Sequence, residues 1–144
     1  MDVSFSITLP RASYTVGVTR LFLRSALDSS GVVGEFRDDI LSAATEACAN
    51  SIDHGFPARS YQVEMRVAQD WCVIEVTDTG SYFDVHEVGM PEDDAESGRG
   101  ILMMRELVDN VALDEVPGGG KRVSLLKWRV PLSAAAPAPR TPVG

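Results

Sequence analysis

The sequence predicts an α+β fold, a two-layer sandwich in which a mixed, mostly antiparallel sheet is covered by helices on one face. Two observations carry that expectation. The period-two runs at 61–67 and 71–78 are separated by little more than Gln69-Asp70, the spacing of an antiparallel hairpin. The helical patterns at 12–28 and 35–54 follow one another with no strand between them, so helices are gathered together rather than alternated with strands.

Each element has its own signature. Val3 to Leu9 alternates with period two and reads as a strand, ended by Pro10. From Ala12 to Asp28, Tyr14, Val18, Leu21, Phe22 and Ser25 form a helical stripe that is expected to face the core. Arg20 and Arg24 lie one turn apart on another face, either as a solvated basic surface or as a docking patch for an acidic partner. Ser29-Ser30-Gly31 breaks the helix. The second helix starts near Glu35, with Asp38 and Asp39 in its first turns where acids complement the dipole, and it stops at Gly55 before Pro57.

In that second helix Ile40, Ala43, Ala44, Ala47, Cys48 and Ser51 fall on one stripe, and their small size lets the helix pack close against a sheet. Tyr61, Val63, Met65 and Val67 mark one face of the next strand, and Cys72, Ile74 and Val76 one face of the strand after it. Residues 85–97 have no periodicity and read as a lid. Gly98-Arg99-Gly100 opens a third helix over 101–110, with Met103 and Val108 inward. Residues 111–116 and 121–130 read as strands joined by the turn Gly118-Gly119-Gly120, giving the order β-α-α-β-β-lid-α-β-β. Trp71 and Trp128 read as sheet-packing residues. Residues 1–132 form one domain, and the Ala/Pro-rich stretch 133–144 is expected to be a disordered tail.

Composition narrows the function. The net charge of −8 argues against direct nucleic-acid binding, which needs a basic surface. Cys48 and Cys72 sit in no CxxC or ligand cluster and read as buried apolar residues. No charged-then-apolar leader opens the sequence and no apolar run nears ~20 residues, so no membrane contact and a cytoplasmic location are expected.

Three segments carry chemistry. Glu46, Asn50 and His54 run at i, i+4, i+8 down the flank of the small-residue stripe, where unpaired polar groups would each cost on the order of a few kcal/mol if buried. A bound polar ligand would satisfy them. Asn50 offers an amide oxygen to a hard cation such as Mg²⁺, and Glu46 can accept a proton from an attacking hydroxyl. Asp78 can accept a hydrogen bond from an exocyclic amine such as that of adenine, and Gly80 leaves room for the base. The glycines Gly98 and Gly100, at a helix start, suit the close approach of phosphate. His54 suits either the helix C-terminal dipole or a ligand, Arg99 either a γ-phosphate or solvent, and Arg105 either a partner surface or solvent.

These segments resemble the N, G1 and G2 boxes of the GHKL ATPase superfamily, the Bergerat fold of gyrase, Hsp90, histidine kinases and MutL. Within it the sequence is most similar to the bacterial anti-sigma-factor serine/threonine kinases. The N box is Glu46-Ala-Cys-Ala-Asn50-Ser-Ile-Asp-His54-Gly55, the G1 box Asp78-Thr79-Gly80-Ser-Tyr-Phe83-Asp84, and the lid end with the G2 box Glu96-Ser97-Gly98-Arg99-Gly100-Ile101. The resemblance spans residues 3–130. It implies an ATP- and Mg²⁺-binding kinase domain that phosphorylates a serine or threonine of a STAS-type anti-sigma-factor antagonist, sequesters a sigma factor and forms a homodimer. It implies Glu46 as general base, Asn50 as Mg²⁺ ligand and Asp78 as adenine acceptor. His54, Gly80, Phe83, Gly98, Arg99, Gly100 and Ile101 complete the nucleotide set, with Arg20, Arg24 and Arg105 toward partners. Two positions depart from the family pattern. Tyr82 replaces the second glycine of DxGxG, and Gly120-Lys121-Arg122 stands where a Gly-Thr pair is common. They keep open an ATP-binding regulatory module without phosphotransfer.

Overall fold

The computed structural model describes residues 2–56, 58–79, 95–117 and 119–129. Its elements are β1 (Val3–Pro10), α1 (Thr15–Ser29), α2 (Gly34–His54), β2 (Ser60–Val67), β3 (Trp71–Thr79), α3 (Ala95–Leu107), β4 (Asn110–Val116) and β5 (Gly120–Trp128). The five strands form one sheet in the order β1-β2-β3-β5-β4, and every ladder between them is antiparallel. The expected lid at 85–97 falls outside the described residues except for its last three, which form the first turn of α3. Pro57, Gly80, Tyr82, Phe83 and the tail at 133–144 also lie outside them.

The hairpin register follows from the alternation seen in the sequence. Val63 pairs with Val76 and Met65 with Ile74, so their side chains share the face that meets the helices. Tyr61, Val63, Met65, Cys72, Ile74, Val76 and Leu125 on that face are all buried. Trp71 pairs with Trp128 on the opposite face, as expected of sheet-packing residues. The predicted stripe of α2 is buried throughout, from Ile40 to Ser51, joined by Leu41 and Ile52. Cys48 and Cys72 are both buried, and burial pushes each thiol up to about 12.

The α1 helix uses a different face from the one its apolar spacing predicts. It buries Thr15, Thr19, Leu23, Ala26 and Leu27, while Tyr14 is 69% exposed and Leu21 71% exposed, with Val18 exposed as well. The two buried threonines explain the rotation. Thr15 Oγ1 lies 2.7 Å and Thr19 Oγ1 3.3 Å from the hydroxyl of fully buried Tyr61, so the polar atoms of all three side chains are satisfied in the core. Phe22 of the predicted stripe still packs on the core, edge-on to Phe5. The helix ends in a Schellman motif. Gly31 has φ +80, its N–H bonds Asp28 O at 3.1 Å, and Val32 N–H bonds Leu27 O at 2.9 Å.

Helix α3 starts at Ala95, earlier than Gly98-Arg99-Gly100 suggests, so those three residues sit inside the helix rather than before it. Ala95 and Glu96 favour a helical first turn, and no proline interrupts it. Its inward residue is Met104, with Val108 buried just past its end, whereas Met103 is exposed, one position off the expected phase.

Candidate functional site

The long, small-residue face of α2 draws it tightly onto the sheet and leaves its flank facing α3. On that flank Glu46, Asn50 and His54 line a cleft of about 360 Å³ with Ala49, Asp53, Arg99, Gly100 and Met103. Residues from two of the three predicted segments therefore meet in one place. The approach of the helices is close. A Cβ added at Gly100 would lie 2.5 Å from Glu46 Oε1 and 3.3 Å from Asn50 Nδ2. Gly100 is buried and Arg99 exposed, and Ile101 packs against the core.

Asp78 stands at the end of β3, beside the cleft rather than in its lining. It accepts a hydrogen bond at Oδ1 from Ser51, the residue that follows Asn50. Burial pushes the Asp78 carboxyl up from its ordinary value, and the Ser51 hydrogen bond with the charges of Lys121 and Arg11 pulls the other way. Gly55 makes this arrangement possible. Its φ of −83 needs no glycine, but a Cβ there would collide with Ser51 O and lie 3.0 Å from Asp78 Oδ1. Gly55 thus ends α2 through space rather than through left-handed backbone.

Arg11 holds the same corner together. Its Nε donates to Ala58 O at 2.7 Å, its Nη1 donates to Ile52 O, and its guanidinium stacks over the Phe56 ring at 5.8 Å. It therefore satisfies a carbonyl of the last turn of α2. Sequence reasoning missed Arg11, Ser51, Asp53 and Met103. The only signal for Ser51 was its place on the buried stripe, and Arg11, one residue past a strand, carried none.

Three predicted partner residues lie apart from the cleft. Arg20 and Arg24 are exposed on α1, and Arg105 is exposed in the last turn of α3. Arg20 Nη1 donates to Thr45 Oγ1 at 3.1 Å, which ties α1 to the residue before Glu46. Gly80 and Phe83 lie outside the described residues, so the G1 segment enters the site here through Asp78.

The donor set fits a Mg²⁺-nucleotide. Mg²⁺ is usually held by one or two protein oxygens together with substrate phosphates and water, and Glu46 and Asn50 supply such oxygens one turn apart. The absent side chain of Gly100 lets α3 come up against the Glu46 carboxylate and the Asn50 amide.

Comparison with known proteins agrees with this geometry. Residues 9–127 match the histidine kinase-like ATPase domain family. The serine-protein kinase RsbW of Bacillus licheniformis is 31% identical over 126 residues, covering 78% of this chain and 78% of that protein. The serine-protein kinase RsbW of Halalkalibacterium halodurans is 29% identical over 126 residues, covering 80% and 78%. Among solved structures, that of the RsbU and RsbW domains of Rv1364c from Mycobacterium tuberculosis superposes with a TM-score of 0.68 at 22% identity, over 90% of this chain and 33% of that one. The SiaB-SiaC complex from Pseudomonas aeruginosa gives 0.62 at 10% identity, over 85% and 88%. A two-layer sandwich with helices on one face, the Glu46/Asn50 flank closed by Gly100, and a match over most of the chain converge on one conclusion: this chain belongs to the histidine kinase-like ATPase domain family.

Proposed function

We propose that this protein is an ATP-dependent serine/threonine kinase and anti-sigma factor. It phosphorylates a STAS-type anti-sigma-factor antagonist and holds a sigma factor inactive. The observation that carries the reading is the convergence of Glu46 and Asn50 on Gly100 across the α2/α3 cleft. The relatives named serine-protein kinase RsbW, matched over about four fifths of their length, support the same activity.

In this reading the Asn50 amide oxygen helps to hold Mg²⁺, and Asp78 accepts a hydrogen bond from the adenine amine. ATP would supply the phosphoryl group, and a Mg²⁺ ion held with the help of Asn50 would neutralise phosphate charge. Glu46 takes the proton of the substrate hydroxyl as its oxygen bonds to the γ-phosphorus, and the bond from that phosphorus to the bridging oxygen breaks to release ADP. Arg99, exposed where it lines the cleft, would meet the γ-phosphate in this reading, and His54, which lines the same cleft, would contact the nucleotide. Arg20, Arg24 and Arg105 serve partner surfaces, the chain acts as a homodimer, and it works in the cytoplasm. No helix among the described residues is long and apolar enough to cross a membrane.

The test is transfer of labelled γ-phosphate to a purified STAS-domain antagonist from the same organism. Wild type should label a serine or threonine. Glu46→Ala should retain ATP binding and lose transfer by about 10²-fold or more. Asn50→Ala should lose Mg²⁺-dependent ATP binding itself. A second reading, nucleotide-gated anti-sigma binding without transfer, draws on the charge of Lys121 beside Asp78. It would replace the first if wild type bound Mg²⁺-ATP and sigma factor yet labelled no antagonist.

A further inference from the structure

The polar atom that fixes Asp78 comes from a residue with no assigned role. Ser51 sits on the inward face of α2, is 7% exposed, and donates its hydroxyl hydrogen to Asp78 Oδ1. The same oxygen is boxed in from a second side, because the Cα of Gly55 packs so near that a Cβ would be 3.0 Å from it. On the strand side, Gly120 packs against the Asp78 backbone, where a Cβ would be 2.5 Å from the carbonyl oxygen. The carboxylate is therefore clamped at Oδ1 and at its main chain.

A carboxylate with both oxygens equally available can rotate and accept from water or ligand through either. A clamped one offers a single acceptor in a fixed direction. We propose that Ser51 is a specificity-determining positioning residue: by occupying Oδ1 of Asp78 it directs the other carboxylate oxygen to the exocyclic amine of a 6-aminopurine, and so selects adenine over 6-oxopurine nucleotides. This deepens the kinase reading and rests on Asp78 being the base acceptor. The arrangement has a physical rationale. A 6-oxopurine presents a carbonyl where adenine presents an amine, and two acceptors facing each other in a buried site leave both unpaired. The Ser51 hydrogen bond also favours the ionised carboxylate against burial, which keeps Asp78 an acceptor.

The experiment measures the affinities of ATP and ITP for the full chain in Mg²⁺, for wild type, Asp78→Asn, Ser51→Ala and Ser51→Thr. ITP carries the same phosphates and ribose but has a carbonyl at C6 in place of the amine and N1–H in place of the N1 acceptor. Wild type should prefer ATP. Ser51→Ala should reduce the ATP-over-ITP preference by about fivefold to tenfold, the worth of one oriented hydrogen bond, with ITP affinity little changed. Ser51→Thr, which keeps the hydroxyl, should restore the preference. If the alanine variant does not fold, Ser51→Cys keeps the volume with a weaker donor and should give the same fall. A Ser51→Ala protein that retains the wild-type preference, or that loses ATP and ITP affinity equally, overturns the proposal. If Asp78→Asn removes the preference while Ser51→Ala does not, the Ser51 role alone falls. If wild type binds neither nucleotide, or Asp78→Asn leaves the preference intact, the underlying assignment of the site falls with it.

Discussion

At Gly100 a single missing methyl group sets the distance between two helices. A Cβ there would press on Glu46 Oε1, the mobile end of a side chain, so Gly100→Ala should fold and displace the carboxylate instead. The expected result is about a 10²-fold loss in phosphotransfer with a melting temperature near that of wild type, read by kinase assay beside thermal denaturation. Asp78 makes a prediction of opposite sign. Its folded pKa is raised, so its contribution to stability is present below the unfolded value and is lost as pH rises through the folded value. Without nucleotide, Asp78→Asn should therefore be more stable than wild type at pH 7, and the gain should fade as pH falls below about 4. Urea titrations at both pH values check this, and a destabilised variant at pH 7 would refute it. Glu46 and Asn50 line one cleft and Asp78 stands beside it, a grouping suggested by the three sequence segments taken together, since an ExxxN pair or a DxG turn alone is common. Ser51 and Arg11 were not legible, since a serine on a small-residue stripe reads as packing and a hydrogen bond 27 residues away along the chain leaves no local trace.

At the level of the element, α2 and the β2/β3 hairpin were legible because one face carries an unbroken run of small or apolar residues at the right period. The α1 helix was not, for two physical reasons. Its apolar residues lie on more than one face, and its buried face is chosen by hydrogen bonds of Thr15 and Thr19 to Tyr61. Tyr61→Phe should therefore cost about 0.5–1.5 kcal/mol, and Thr15→Val in the Tyr61→Phe background should cost less than in wild type, as a double-mutant cycle in urea would measure. The other face leaves Tyr14, Val18 and Leu21 outward next to Arg20 and Arg24. Arg and aromatic anchors of this kind dominate interface energetics. Leu21→Ser with Arg20→Ala should leave the thermal melt nearly unmoved and weaken protein association, read by sedimentation and by sigma-factor pull-down. The start of α3 was misplaced because glycines announce flexibility, while here Gly98 and Gly100 are helical and Gly100 spends its missing side chain on closeness.

On the scale of the whole molecule, the sheet order β1-β2-β3-β5-β4 brings the end of β3 beside the last turn of α2, and so joins residues far apart in sequence into one site. A ligand that ties α2, α3 and β3 together must stabilise the folded chain as a unit. At about 100 times its dissociation constant Mg²⁺-ATP should add about 2.7 kcal/mol, seen as a rise in melting temperature that EDTA reverses. That order follows from the hairpin and the helix pair, which were readable, and from the β3/β5 pairing, which no local pattern encodes. The two sealed thiols add something practical. Cys48 lies two residues before Asn50 on α2, and Cys72 lies in the central strand β3. With both held as protonated, inaccessible groups, a thiol-reactive dye reaches either one only when the chain opens around it. Labelling at Cys48 in a Cys72→Ser background thus becomes a clock for the breathing of the helix that carries Glu46, the proposed general base, and nucleotide should slow its ticking.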